Sequence, residues 1–309
     1  MKNKVCVIGS INVDLTVTIP HFHLPGETIL GTSFAMFPGG KGGNQAAASA
    51  KLGTPTMMVG KTGKDSNAEF YQKNFEKLGI DTFCVRKCDA PTGIALIEVE
   101  PASGENRIIV VAGANMKVDR DLIDSCWDKM LECEVFLFQL EIPIDTISYA
   151  AQKLHAAGKT VILDPAPAAK LPSELLASVD YLTPNETELQ IISGCDTSNE
   201  DSIVSAARNL LNQGTGAVIA KMGSHGAMLI TKESAVMVPS FKVNAVDSTG
   251  AGDSFNAGFA TALTMGLKGT KAIQFANAVG GLSTQAMGAQ NAMPTFEETQ
   301  LFLKKNGIK

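Results

Sequence analysis

STGAGDSFNAGF, residues 248–259, sets a tight glycine turn before an apolar run and puts a carboxylate at the junction. Gly250 and Gly252 let the backbone turn and approach a ligand closely. The Ala-, Phe- and Gly-containing run over 254–266 predicts a helix. A helix start leaves several N–H groups unpaired, and the macrodipole adds partial positive charge there. Such amides hold a phosphoryl group without any Lys or Arg. The charge of Asp253 conflicts with an anion unless it stands to one side. From there it would take the proton of a sugar hydroxyl that attacks phosphorus. In that reading Gly250, Ala251 and Gly252 form an anion hole and Asp253 is the general base. The spacing alone also fits an ordinary acid in the first turn of a helix.

FPGGKGGNQAAA (37–48) is a second glycine-rich turn into a predicted helix, 44–53. Asn44 offers donors and an acceptor to a polyol, or simply caps the helix. GSINVD (9–14) puts Asn12 and Asp14 just past an apolar strand, KVCVIG (4–9). Open α/β sheets bind ligands at the carboxyl ends of their strands, so these two residues suit sugar hydroxyls; they also suit a turn. QLE ends another strand at Glu141, and TPNETE (183–188) brings Asn185, Glu186 and Glu188 to the end of a third. Acids with an Asn suit water-mediated Mg²⁺ near phosphates, or a helix start with a solvated acidic turn. Two tempting motifs fail. G-x-x-x-x-G-K-[ST] ending at GKT (60–62) meets Pro55, and no stretch fits G-x-G-x-x-G. A Walker site and a dinucleotide fingerprint are both unsupported.

Helical segments (119–131, 144–157, 200–213) alternate with apolar strands after residue 115, which predicts a doubly wound, mostly parallel α/β sheet with helices on both faces. Earlier strands at 14–19, 28–37, and a hairpin around PASGE carry no helices of their own. The chain, 1–309, is therefore expected to be one α/β unit, with a small β-sheet lid formed by about 14–37 and 93–111.

Composition narrows the function classes. The 309 residues are 45% hydrophobic and 18% charged, as in a compact enzyme. A formal net charge of −5 gives no support for nucleic-acid binding, so an anionic ligand needs local geometry. The six cysteines show no zinc-site spacing and read as reduced thiols. The four histidines form no metal pattern. No leader and no membrane span is legible, so a cytoplasmic protein without a membrane partner is expected.

Taken together, these pieces resemble the ribokinase family of carbohydrate kinases, the PfkB group. The likeness covers nearly the whole chain, through GSINVD, PGET, GGKGGNQAA, TGIALIEV, GANMKV, QLEIP, DPAPA, TPNETE, KMGSHGA and AVDSTGAGDSFNAGF, in that order. The resemblance implies ATP, Mg²⁺ and transfer of phosphate to the 5-hydroxyl of D-ribose, with a lid often shared across a homodimer. It implies Asp253 as base, and Asn12, Asp14, Gly40, Lys41, Asn44 and Glu141 around the sugar. Asn185, Lys221, Gly223, Ser224, Gly226, Gly252 and Asn277 would serve ATP, and Glu188 would serve Mg²⁺ through water. A K⁺ site would draw on Asp247, Thr249, Ser283, Ala286 and Gly288. Two positions depart from the pattern: Lys221 stands where many members have Thr, and Ala292 where Ser is common, which weakens the expectation of potassium activation. Another sugar kinase of the family, and a sugar-binding regulator without catalysis, are the competing readings; intact Asp253 argues against the second.

Overall fold

The computed structural model describes residues 4–308. Its strands are β1 (Val5–Ile8), β2 (Asn12–Thr18), β3 (Ser33–Gly39), β4 (Thr56–Thr62), β5 (Asp81–Lys87), β6 (Gly93–Glu100), β7 (Glu105–Val111), β8 (Val135–Phe138), β9 (Thr160–Leu163), β10 (Tyr181–Leu182), β11 (Ala217–Lys221), β12 (Gly226–Ile230) and β13 (Ala235–Pro239). Nine of them form one sheet in the order β13-β12-β11-β10-β9-β8-β1-β4-β5. Every pairing from β5 to β11 is parallel, and the β11–β12–β13 edge is antiparallel.

The central strands are short and apolar because both faces are covered. In β1, Cys6 and Ile8 enter one core while Val5 and Val7 enter the other. In β8, Phe136 and Phe138 join the first core and Val135 and Leu137 the second. Alternation along each strand thus feeds two helical layers, and the doubly wound expectation holds.

The other four strands form a separate sheet, β3-β2-β6-β7. β2 runs antiparallel to β3 and parallel to β6, and β6 antiparallel to β7. Three local expectations need correction. Residues 28–32 lie outside any strand, and β3 begins at Ser33. The segment 119–131 is two helices, Arg120–Ser125 and Trp127–Met130, parted at Cys126. β5 has no counterpart in the sequence reading; it is an edge strand with Cys84 as its one buried residue, so its apolar pattern is weak.

Small residues bring the two glycine-rich segments together. The helix Lys41–Lys51 packs on the helix Ala251–Thr264. Ala47 and Ala48 of the first share a small cluster with Ala257 of the second and Met293. Gly42 lets the first helix sit on the end of β1. A Cβ there would lie 2.6 Å from the Ser10 nitrogen and 2.7 Å from the Gly9 carbonyl carbon. Those are backbone atoms of a buried strand end and have little room to retreat. Gly42→Ala is therefore expected to cost about 1–3 kcal/mol of stability, the usual range for overpacking. Urea unfolding that leaves the midpoint unmoved would show that the contact is slack.

Candidate active site

Both glycine-rich helices start one residue after a left-handed glycine, Gly40 with φ 79° and Gly250 with φ 75°. They begin earlier than the sequence suggests, at Lys41 instead of 44 and at Ala251 instead of 254. Both first turns are built of glycine and polar residues, so neither shows the apolar periodicity that marks a helix; the turn at Ala251 borders a cleft, while Gly42 and Gly43 are buried against Ser10 and Tyr71. The shift puts Asp253 inside the first turn, with the amides of Gly252 and Asp253 around it.

The two starts differ in what they hold. In the Lys41–Lys51 helix the free amides already have internal acceptors. Lys41 N donates to Glu141 Oε2 at 3.0 Å, Gly42 N to Ser10 Oγ at 3.2 Å and Gly43 N to the Ser10 carbonyl at 2.8 Å. Glu141 also accepts from the Ser10 hydroxyl at 2.5 Å, so this helix carries its own anion. In the Ala251–Thr264 helix, Ala251 N turns back to the Ser248 carbonyl at 3.1 Å and Ser254 N donates to Gly250 O at 2.8 Å. Gly252 N and Asp253 N have no acceptor among the described residues. Orphan donors at this helix start, two residues in, are what an incoming anion needs.

Asp253 is 7% exposed. Asn44 Nδ2 donates to its Oδ2 at 3.0 Å and Gln45 Nε2 to its Oδ1 at 3.1 Å. Gln45 Nε2 also reaches Asp164 Oδ2 at 3.0 Å, and Lys221 Nζ pairs with Asp164 Oδ1 at 2.8 Å. Burial pushes the Asp253 carboxyl up; the Lys41 charge and the two amide donors oppose it and Asp164 adds to it, leaving a pKa of about 6. That is a difference worth about 3 kcal/mol between its protonation states. Lys41 feels the same cluster from the other side. Its burial works against the charge, but Asp253, Asp164, Glu141 and Glu188 hold its pKa above the usual lysine value.

The sugar-side candidates gather at the ends of β1 and β2. Asn12 is 3% exposed, and its Oδ1 accepts from Asn115 Nδ2 at 2.7 Å. The Asp14 carboxylate lies over Gly39, where a Cβ would come within 2.2 Å of Oδ1. Burial, then the Glu141 and Asp253 charges, raise its pKa to about 7.

A cleft of about 520 Å³ opens beside Asp253 and Lys41. Asp164, Asn185, Glu188, Lys221, Gly223, Gly250 and Gly252 line it. Asn185 and Glu188 cap their own helix: Asn185 Oδ1 accepts from Glu188 N at 2.8 Å and Glu188 Oε2 accepts from Asn185 N at 2.7 Å. The carboxyl of Glu188 is raised by burial and by Asp164, against the pull of Lys221. Ser224 sits exposed in the single turn Gly223–His225. Gly226 packs into the β12–β13 hairpin, since a Cβ would come within 2.2 Å of the Val238 carbonyl. Asn277 does not line the cleft; 5% exposed, it donates Nδ2 to Val238 O at 3.0 Å and ties the helix Thr270–Ser283 to β13.

Asp247 ties together two of the remaining candidates, Thr249 and Gly288. Its Oδ1 accepts from Thr249 N at 2.9 Å and Oδ2 from Gly288 N at 2.8 Å. Ser283 donates its hydroxyl to Gly280 O at 2.8 Å, and Ala286 is exposed nearby in sequence. No group of three or more acidic, His or Cys residues among those described is arranged to hold a metal alone.

Sequence reading passed over Asp164, Gln45, Gln139 and Gln290. Asp164 had a usable signal, an acid at the carboxyl end of β9 just as Glu141 follows β8. The glutamines had none, because their partners lie far along the chain.

The chain is similar to known carbohydrate kinases along nearly its whole length. Residues 2–296 match the pfkB family of carbohydrate kinases. Ribokinase of Haemophilus influenzae is 37% identical over 305 residues, covering 98% of this chain and 99% of the relative. Deoxyribokinase of Salmonella typhi is 35% identical over 304 residues, covering 98% and 99%. The structure of Arabidopsis thaliana ribokinase complexed with ribose and ATP superposes with a TM-score of 0.92 at 34% identity, covering 98% of this chain and 99% of that one. The chain belongs to the pfkB family of carbohydrate kinases and is an ATP-dependent sugar kinase.

Proposed function

We propose that the protein transfers the γ-phosphoryl group of ATP to the 5-hydroxyl of D-ribose, with Asp253 as general base. The observation that carries the reading is a buried carboxylate with a pKa of about 6, in the same helix turn as two orphan amides and at the wall of an open cleft. The hydroxyl oxygen attacks phosphorus while its proton passes to the Asp253 carboxylate; the bond from the γ-phosphorus to the bridging oxygen breaks, and ADP leaves with that electron pair. The amides of Gly252 and Asp253, with Gly250 turning the chain, face the charge on the phosphoryl oxygens. Ala251 shapes that turn, its own amide being held by Ser248. Lys41, ringed by carboxylates, supplies the fixed positive charge.

Asn12, Asp14 and Gly40 would line the sugar, with Asn44 and Glu141 holding the walls. The strands β2, β3, β6 and β7 would close over it as a lid that keeps water from the phosphoryl group. Phe34 and Ile109 of that sheet are 62% and 63% exposed, which supports pairing of two lids in a homodimer. On the nucleotide side, Asn185, Lys221, Gly223 and Ser224 border the phosphate path, with Gly226 and Asn277 shaping its far end. Mg²⁺ takes few protein carboxylates and keeps water and phosphate ligands. Glu188, raised in pKa beside Asp164, fits that donor set and would be eased by a cation. When bound, the ion neutralises phosphate charge. K⁺ would bind where Asp247 draws together Thr249 and Gly288, with Ser283 at the end of the helix Thr270–Ser283 and Ala286 in the turn that follows.

The deoxyribokinase relative supports a second substrate, 2-deoxyribose. An ATP-coupled assay over pentoses, ketohexoses and nucleosides, with and without potassium, separates the two. Ribose is expected to give the highest kcat/KM, and a preference for 2-deoxyribose would replace it. Asp253→Asn is expected to keep sugar and ATP binding and to lower kcat by about 10²–10⁴; turnover near the native rate would remove the base. The pH dependence has a definite sign. Asp253 must be ionised to accept a proton, so kcat should hold above pH 6 and fall as the pH drops through about 6. At low sugar concentration Asp14, with its pKa of about 7, should widen that limb. A kcat flat from pH 5 to 8 would contradict the assignment.

A further inference from the structure

A primary amide can present either its NH₂ or its carbonyl oxygen, and a half-turn of the group exchanges them at little steric cost. Beside a carboxylate the two are opposites: NH₂ favours the charge and oxygen repels it. Asp253 meets two such amides, Asn44 on Oδ2 and Gln45 on Oδ1. Each is gripped at its own oxygen by a further amide. Gln290 Nε2 donates to Asn44 Oδ1 at 3.1 Å, and Gln139 Nε2 donates to Gln45 Oε1 at 2.6 Å.

Of the outer amides, Gln290 is itself fixed by further partners. Gln290 is 5% exposed; its Nε2 also donates to the Tyr71 hydroxyl at 2.9 Å, and its Oε1 accepts from Asn74 Nδ2 at 2.9 Å. Tyr71 cannot turn to meet it otherwise, because its hydroxyl donates to the Gly39 carbonyl at 2.6 Å. Gln139 is fully buried and wedged against Gly9, where a Cβ would come within 2.0 Å of Oε1. That Oε1 has no donor among the described residues. A methionine would fill the same space with no orphaned oxygen, so packing does not account for the amide.

We propose that Gln290 and Gln139 are positioning residues that set the direction of two amide relays, so that both oxygens of Asp253 receive N–H groups. The inference deepens the reading of Asp253 as the base and rests on it. The relays deliver dipoles, not charge. The charged and titratable groups around Asp253 are Lys41 and Asp164, with Asp14, Glu141 and Tyr71 further out and Lys221 paired to Asp164. With Gln290 removed, those groups stay, but Asn44 loses the donor that keeps its oxygen away from Asp253; with Gln139 removed, Gln45 loses the same support and keeps only the pull of Asp164 on its Nε2. The carboxyl would then hold its proton to higher pH.

The test is the pH profile of kcat, with the pentose that the substrate panel selects, for Gln290→Met, Gln139→Met and the milder Asn74→Ala. In Asn74→Ala the outer residue can no longer donate to Gln290 Oε1 and no charge is added; it sits half-buried on the helix Ser66–Leu78, where Ala suits the helix, so folding is little disturbed. The acidic limb is expected to move up by on the order of one pH unit in the Met variants and in the same direction in Asn74→Ala. Gln290→Met is expected to have little further effect on kcat, within about 2-fold, once Asn44 is already Ala, because the relay acts through Asn44. A limb that stays in place in Asn74→Ala and in whichever Met variants fold, or a Gln290→Met effect undiminished in the Asn44→Ala background, would overturn the relays. Asp253→Asn measured alongside separates the two ideas. If it is inactive while the limb stays fixed, the relays alone fail; if it turns over near the native rate, the base itself is lost and the relays with it.

Discussion

Asn44 and Gln45, from the first turns of one helix, donate to the two oxygens of Asp253 in the first turn of another. Much of the site follows from that contact. It requires two helix starts to meet, which requires glycine and alanine where they cross. It requires the meeting point to be dry, which lifts the Asp253 carboxyl to about 6. A carboxyl with its ordinary pKa would be a weak proton acceptor near neutrality, and one without N–H partners would stay protonated. Burial and the two donors pull in opposite directions, and the balance falls where a base is useful.

Charge is distributed by the same logic. The net charge of −5 gives no general attraction for a polyphosphate. Inside the cleft, Lys41 and Lys221 stand among Asp164, Glu188, Asp253 and Glu141. Lys41 is held charged by four acids, and Lys221 pairs with Asp164 at 2.8 Å, so the two cations are not locked into one closed pair. The orphan amides add donors that carry no desolvation cost of a full charge. An anion is therefore met by geometry, and the acidic surface does not prevent it.

The sheet was legible because its strands are apolar runs at the ends of which acids and glycines recur. STGAGDSF gave away the helix start and its carboxylate through residue type alone. Limits appeared where information is not local. Gln45, Gln139 and Gln290 look like any polar helix or loop residue until the chain brings them within hydrogen-bond reach of one another. Helix starts were read three residues late at both glycine turns, since glycine and polar residues in the first turn of each helix carry no apolar periodicity. β5 escaped notice for the same reason, being an edge strand with little to bury.

The partners of Asp253 lie 209 and 208 residues away along the chain, and Gln290 reaches back 246 residues to Asn44. Strand β1 finds its neighbours β4 and β8 well before that point. During synthesis, then, the emerging chain can settle much of its sheet while the ribosome is still at work, and the Gln290 contact to Asn44 waits until residue 290 has emerged. The amide that seats Asn44 against Asp253 is therefore among the later contacts to form, after the sheet and after the helix that carries the carboxylate.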